Sequence, residues 1–378
     1  MITFENVTKR FPDGTVAVDD LSLQMPDGRI TVLVGPSGCG KTTSLRMINR
    51  MVEPTGGAVL LDGVDVRTVD PPALRRGIGY VIQHAGLLPH RTIVDNIATV
   101  PYLLGWDKRR ARDRAMELLE LLGLPATVAR RYPYQLSGGQ QQRVGVARAL
   151  AADPPVILMD EPFSAVDPIV RKSLQDELLR LQGGLGKTIV FVTHDIDEAI
   201  KLGDQIAILR QGGKLAQFDR PEQLLATPHD AFVESFIGVD RGIRRLSFFP
   251  AEELELRDDT VVPAAATVDA ARQAARAAGE SWLLVVDGER RPLGWLLADA
   301  LPAAGHVGEL DLAPYGHPFQ AHSDSLRAAL DSAVLSPAGR AVGVDQDGGV
   351  VGTVSQAEIG EVARGRAGAQ AERSEADA

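Results

Sequence analysis

Three runs of consecutive apolar residues stand out in the first part of the chain: RITVLVG (29–35), PPVILMDE (154–161) and KTIVFVTHD (187–195). Apolar positions without alternation, bounded by glycine or charge, predict strands buried on both faces in a parallel sheet. Between them the period becomes helical. Ala115, Leu118, Leu119 and Leu122 fall at i, i+3, i+4 and i+7, and Val170, Leu174, Leu178 and Leu181 keep a similar stripe. IAILRQGGKLAQF (206–218) predicts a hairpin turning at Gly212 and Gly213. Strands alternating with helices make the fold α/β.

The pattern changes near residue 240. WLLVVDGERRPLGWLLADAL (282–301) and AVGVDQDGGVVGTVSQAEI (341–359) each hold an apolar strand, an aspartate, a turn, and a glycine seven residues after that aspartate. The pairs are Asp287 with Gly294 and Asp345 with Gly352, and each copy follows an alanine-rich helical stretch. Two copies predict paired small α/β units rather than a solenoid. The expected organisation is a first domain over 1–240, a linker at 241–250 (RGIRRLSFFP), the paired repeat over 251–365, and a small polar tail, 366–378, without fixed structure.

A length of 378 residues fits two or three domains. The net charge of −10 argues against a general nucleic-acid binder, which needs a basic face. Charge is uneven: from Arg241 onward, thirteen arginines and no lysine face twenty-one Asp and Glu, a net −8. No apolar run reaches the length of a membrane span, and MITFENVTKRF lacks the long apolar stretch of a signal peptide, so the chain is expected in the cytoplasm unless a partner takes it to a membrane. The lone Cys39 has no internal partner for a disulfide.

The chemistry begins at Gly35-Pro36-Ser37-Gly38-Cys39-Gly40-Lys41-Thr42-Thr43. This glycine-rich loop follows a predicted strand and opens a helix, where backbone N–H groups and the helix terminus favour a polyphosphate. Lys41 is placed to reach the β- and γ-phosphates and the Thr42 hydroxyl to coordinate Mg²⁺. Asp160, at the end of a second apolar strand, is placed to hold the same Mg²⁺ directly or through water. Glu161 follows on the side from which water would attack the γ-phosphate and is the expected general base. Asp and Glu before Pro162 also suit a simple turn cap; the phosphate loop is what tips the reading. A second glycine turn, LSGGQ (136–140), also opens a helix, yet one γ-phosphate already has its loop, lysine and metal. It must serve another nucleotide.

From Met1 to about Ile237 the chain closely resembles the ATP-binding subunit of ABC transporters. The resemblance implies a homodimer in which Ser137, Gly138, Gly139 and Gln140 of one copy close over ATP on the phosphate loop of the other. By the same resemblance Phe11, in KRFPDG, stacks on adenine. Gln83, in GYVIQ, touches Mg²⁺ and the attacking water, and Asp167, in SAVD, couples the two sites. His194, in FVTHD, contacts the γ-phosphate. A helical subdomain at about 88–155 would grip transmembrane permease subunits, and an extracytoplasmic binding protein would deliver the solute. Arg109, Arg110, Arg112 and Arg114 are expected on a solvated or partner-facing surface rather than a nucleic-acid patch.

The paired repeat resembles a tandem CBS pair, a module that binds adenine nucleotides or cyclic dinucleotides, or that dimerises. An ABC ATPase followed by such a pair resembles the ATPases of osmoprotectant importers, for glycine betaine, choline, carnitine or proline betaine. That implies a peripheral protein on the cytoplasmic face of the membrane. The −8 of the C-terminal part favours ligand binding or dimerisation over contact with anionic lipid. Two other readings use the same cassette: an importer for another solute such as an amino acid, and a soluble ATPase of DNA repair or translation. The second normally has coiled-coil insertions or two cassettes, and neither is present in this sequence.

Overall fold

The computed structural model describes the chain except His84, Ala165, Asp377 and Ala378, and except the side chains of Ile169 and residues 367–378. Contacts divide it into Met1–Gly238 and Val239–Ala378.

Among the described residues the first unit holds ten strands: β1 (Ile2–Arg10), β2 (Val16–Met25), β3 (Ile30–Val34), β4 (Gly56–Leu61), β5 (Val64–Asp65), β6 (Ile78–Val81), β7 (Val156–Asp160), β8 (Thr188–Thr193), β9 (Gln205–Arg210) and β10 (Lys214–Asp219). Six form a sheet in the order β10-β9-β3-β8-β7-β6, parallel except for the β9–β10 hairpin. The three apolar runs are its central strands, and every residue of β3, β7 and β8 is buried. Val34 pairs with Thr193 and Asp160 with Val192, so β3, β7 and β8 end level. The segments after them leave from one edge, the carboxyl end of a parallel sheet where ligands bind.

The other four strands form an antiparallel sheet, β2-β1-β4-β5. Its inner face, with Ile2, Phe4, Leu21 and Met25, shares a core with Leu33, Leu45, Ile48 and Leu209 around the phosphate-loop helix. The helix Lys108–Leu121 buries Ala111, Ala115, Leu118 and Leu119. In the helix Pro168–Leu185 the residues Leu174, Leu178 and Leu181 are buried, but Val170, the first member of the expected stripe, is exposed. The arginine cluster is engaged locally: Arg110 lies over the Trp106 ring at 3.9 Å, Arg112 pairs with Asp95 at 2.9 Å, and Arg114 with Glu117 at 3.0 Å.

The second unit repeats one motif. Its first copy is β11 (Val261–Pro263), the helix Val268–Ala278, β12 (Trp282–Val286) and β13 (Pro292–Leu297). Its second is β14 (Phe319–Gln320), the helix Leu326–Leu335, β15 (Arg340–Val344) and β16 (Val350–Ser355). In both, the first strand pairs parallel to the second and the second antiparallel to the third. The same turn closes both hairpins. The Asp287 Oδ1 accepts from the N–H groups of Glu289 and Arg291, as Asp345 Oδ1 does from Asp347 and Gly349. The glycine seven residues on marks where another segment crosses the third strand. A Cβ on Gly294 would stand 2.7 Å from the Ala313 carbonyl, and one on Gly352 2.9 Å from that of Arg257. Gly294→Ala or Gly352→Ala is therefore expected to destabilise this unit by about 1–3 kcal/mol through overpacking. Denaturant unfolding of the full chain checks this, and unchanged transitions would remove close approach as the reason for these glycines.

Two boundaries differ from expectation. The segment 241–250, read as a linker, forms the helix Arg241–Arg245 and a following turn, and buries Leu246 and Phe249 against Phe319, Leu326 and Val354. The last helix runs Gln356–Ala376, through the stretch where composition points to a tail without structure. Ala, Glu, Gln and Arg are strong helix formers, so low hydrophobicity there does not preclude a helix. Among the described residues no helix is long and apolar enough to cross a membrane.

Candidate nucleotide site

The loop after β3 is fixed by its neighbours. Gly40, with φ 112°, caps the helix Lys41–Ile48, and a Cβ there would lie 2.2 Å from the Ala17 carbonyl. No side chain fits between them. The Lys41 side chain is buried, and its ammonium donates to the carbonyls of Gly35 at 2.8 Å and Pro36 at 2.9 Å, which carries a positive charge into the loop. Burial pushes the Cys39 thiol up, and it faces the core.

A cavity of about 490 Å³ lies over this loop, lined by Ser37 through Thr43 together with Ala17, Glu161 and His194. Asp160, at the end of β7, is 5% exposed, and its Oδ1 accepts from the Thr42 hydroxyl at 2.8 Å. Glu161 takes the left-handed conformation, φ 46°, while its N–H bonds the Val192 carbonyl at 3.0 Å. Such a conformation costs free energy in a non-glycine residue and persists at sites that need it. It brings the Glu161 Oε2 within 3.1 Å of the His194 Nδ1 and leaves the other imidazole nitrogen for substrate. A carboxylate and an imidazole thus face a cationic phosphate loop across one cavity, an arrangement suited to activating water against a bound phosphoryl group. Paired hard oxygens, from the Thr42 hydroxyl and the Asp160 carboxylate, suit Mg²⁺ whose other ligands come from phosphate and water.

Of the residues expected from sequence, Ser37–Thr43, Asp160, Glu161 and His194 are brought together, with Gly35 and Pro36 at the base of the loop. Asp160 is joined to the cavity's lining through the Thr42 hydroxyl, and none of the others lines it. Phe11 is half-buried in the turn after β1, under the Lys9 ammonium at 5.2 Å. Gln83 is exposed just beyond β6, and Asp167 is exposed before the helix Pro168–Leu185. Ser137 and Gly138 are exposed at the start of the helix Gly138–Leu150. A reciprocal cap orders that turn: the Gln140 N–H donates to Ser137 Oγ at 3.3 Å and the Ser137 N–H to Gln140 Oε1 at 3.1 Å.

Sequence reasoning missed Ala17, Arg46 and Tyr80. Arg46 follows Thr42 by one helical turn, and Tyr80 belongs to the GYVIQ run, so both were in view without a signal of their role. A hydrogen bond to the Tyr80 oxygen raises the Arg46 pKa against the opposing effect of burial, while burial pushes the Tyr80 phenol up.

This cradle, with its acidic strand end and a separately capped glycine turn, defines an ATP-binding cassette that hydrolyses its nucleotide. The chain belongs to the ABC transporter ATP-binding proteins. The ABC transporter family model matches residues 18–164. The chain is 44% identical over 366 residues to the osmoprotectant import ATP-binding protein OsmV of Salmonella typhimurium, covering 94% of each. It is 55% identical over 241 residues to the carnitine transport ATP-binding protein OpuCA of Listeria monocytogenes, covering 64% of this chain and 60% of that one. Among solved structures it is similar to the dimeric bacterial ABC transporter cassette MJ0796, with a TM-score of 0.54 and 36% identity, over 58% of this chain and 99% of that one. The same cassette is known in a post-hydrolysis dimer bound to ADP and Pi.

Proposed function

We propose that this chain is the ATP-hydrolysing subunit of an importer for quaternary-amine osmoprotectants, of the glycine betaine, choline or carnitine type. The observation that carries the substrate class is the match to an osmoprotectant import protein along 94% of both chains, which takes in the C-terminal repeat as well as the cassette. The chain works as a homodimer at the cytoplasmic face of the membrane, held by permease subunits that its helical subdomain, about 88–155, engages. An extracytoplasmic binding protein presents the solute, which never touches this chain.

In each site the loop 35–43 binds the phosphates of ATP, with Lys41 supplying charge and Phe11 a stacking surface for adenine. Thr42, Asp160 and Gln83 would hold Mg²⁺, which supplies charge neutralisation at the phosphates when bound. Ser137, Gly138, Gly139 and Gln140 complete the site of the opposite copy, and Asp167 links the two. Glu161 accepts a proton from the attacking water while His194 orients that carboxylate and meets the γ-phosphate. Dimer closure turns the permease outward, and hydrolysis reopens it. The repeated three-stranded units with matching aspartate turns support a tandem CBS pair, which binds a nucleotide or dimerises.

Proteoliposomes holding this subunit with its cognate permease and binding protein are expected to take up labelled glycine betaine in an ATP-dependent manner. The uptake is lost with Lys41→Ala. Uptake of an amino acid in its place would keep the cassette and overturn the substrate class.

A further inference from the structure

The Asp160 carboxylate has more partners than the metal reading uses. Its Oδ1 accepts from Thr42, while its Oδ2 lies 3.4 Å from the Tyr80 hydroxyl and 3.5 Å from the Arg46 guanidinium. We propose that Tyr80 and Arg46 are positioning residues that fix the rotation of the Asp160 carboxylate, and so the oxygen it presents to the metal of the ATP complex. The inference rests on the reading of Thr42 and Asp160 as the metal pair.

The placement follows from the fold. Tyr80 lies opposite Leu158 on the neighbouring parallel strand, so its ring reaches along β7 to the aspartate two residues on. Arg46 stands four residues after Thr42 on the phosphate-loop helix, and i, i+4 residues share one helix face. Helix and sheet thus approach the carboxylate from two sides. The terminal torsion of an aspartate is broad and roughly two-fold, so burial alone does not select its rotation. Holding Oδ2 does, and it turns Oδ1 toward the Thr42 hydroxyl.

Stability is a poor account of the same contacts. The Arg46 side chain is 46% exposed, and an ion pair with such a partner at 3.5 Å contributes little to folding. Groups outside the coordination sphere that orient a metal-ligating carboxylate characteristically change metal affinity by about 10–100-fold when removed.

The test uses the full chain with Mn²⁺ and a non-hydrolysable ATP analogue, reading Mn²⁺ affinity by electron paramagnetic resonance. Tyr80→Phe and Arg46→Met are each expected to weaken Mn²⁺ about tenfold, with Arg46→Lys recovering most of the loss. Nucleotide affinity in EDTA and the melting temperature without ligand stay at the wild-type values. Unchanged Mn²⁺ affinity in both variants would overturn the proposal. So would a loss of nucleotide affinity in EDTA, because the residues would then shape the pocket and not the metal ligand. Asp160→Asn separates the two levels: if it retains wild-type Mn²⁺ affinity, the metal reading itself falls and takes this inference with it.

Discussion

Glu161→Gln is expected to lower kcat for ATP hydrolysis by about 10²–10⁴-fold, the usual contribution of a positioned general base, while ATP still binds and the dimer still closes. The amide keeps the size and the hydrogen-bonding reach of the carboxylate but has no basic oxygen to take a proton from water. The left-handed backbone of Glu161 and its bond to the Val192 carbonyl do not depend on the side-chain charge, so the substitution leaves the loop in place. His194→Ala removes the imidazole 3.1 Å from that carboxylate and is expected to lower kcat with a smaller effect on ATP affinity. Single-turnover hydrolysis beside equilibrium ATP binding separates the two. Wild-type kcat in Glu161→Gln would take Glu161 out of the role of base.

The catalytic half of the site was legible in the sequence for a physical reason. Strands buried on both faces read as unbroken apolar runs, and in a parallel sheet the residues at their carboxyl ends converge. Hence Gly35 after β3, Asp160 at the end of β7 and His194 after β8 could be placed without a structure. The antiparallel sheet could not. In β1 the alternation is broken by register shifts around Val7 and Lys9, which blurs the period of two on which recognition depends. Arg46 and Tyr80 were hidden differently. Their partner is Asp160, 80 residues beyond Tyr80, and nothing local to either residue marks the contact. The segment 241–250 reads as a junction because the composition changes there, whereas Leu246 and Phe249 find their cover in residues past 318.

Mixing two inactive variants is expected to rebuild one working site if the signature turn acts across the dimer. Gly138 is the position to alter. A Cβ there meets nothing within 4 Å inside its own subunit, whereas at Gly139 it would come 3.0 Å from Val170. The Ser137 oxygen also caps the helix, so its loss would cost about 1 kcal/mol for reasons unrelated to nucleotide. Gly138→Asp instead puts a carboxylate at a helix N-terminus that is to receive a phosphate, and like charge there opposes the approach. Alone, it should bind ATP on its own phosphate loop yet fail to occlude it. Lys41→Ala alone should fail to bind, since the buried ammonium at the centre of the loop is gone. In a heterodimer of the two, one site carries both defects and the other carries neither. With about half of randomly paired dimers mixed, occluded nucleotide should reappear at up to one per mixed dimer, measured as ATP analogue retained after rapid dilution. Were the turn to act within its own chain, every site would carry one defect and mixing would restore nothing. The distinction does not need turnover, so it holds even where hydrolysis requires two intact sites.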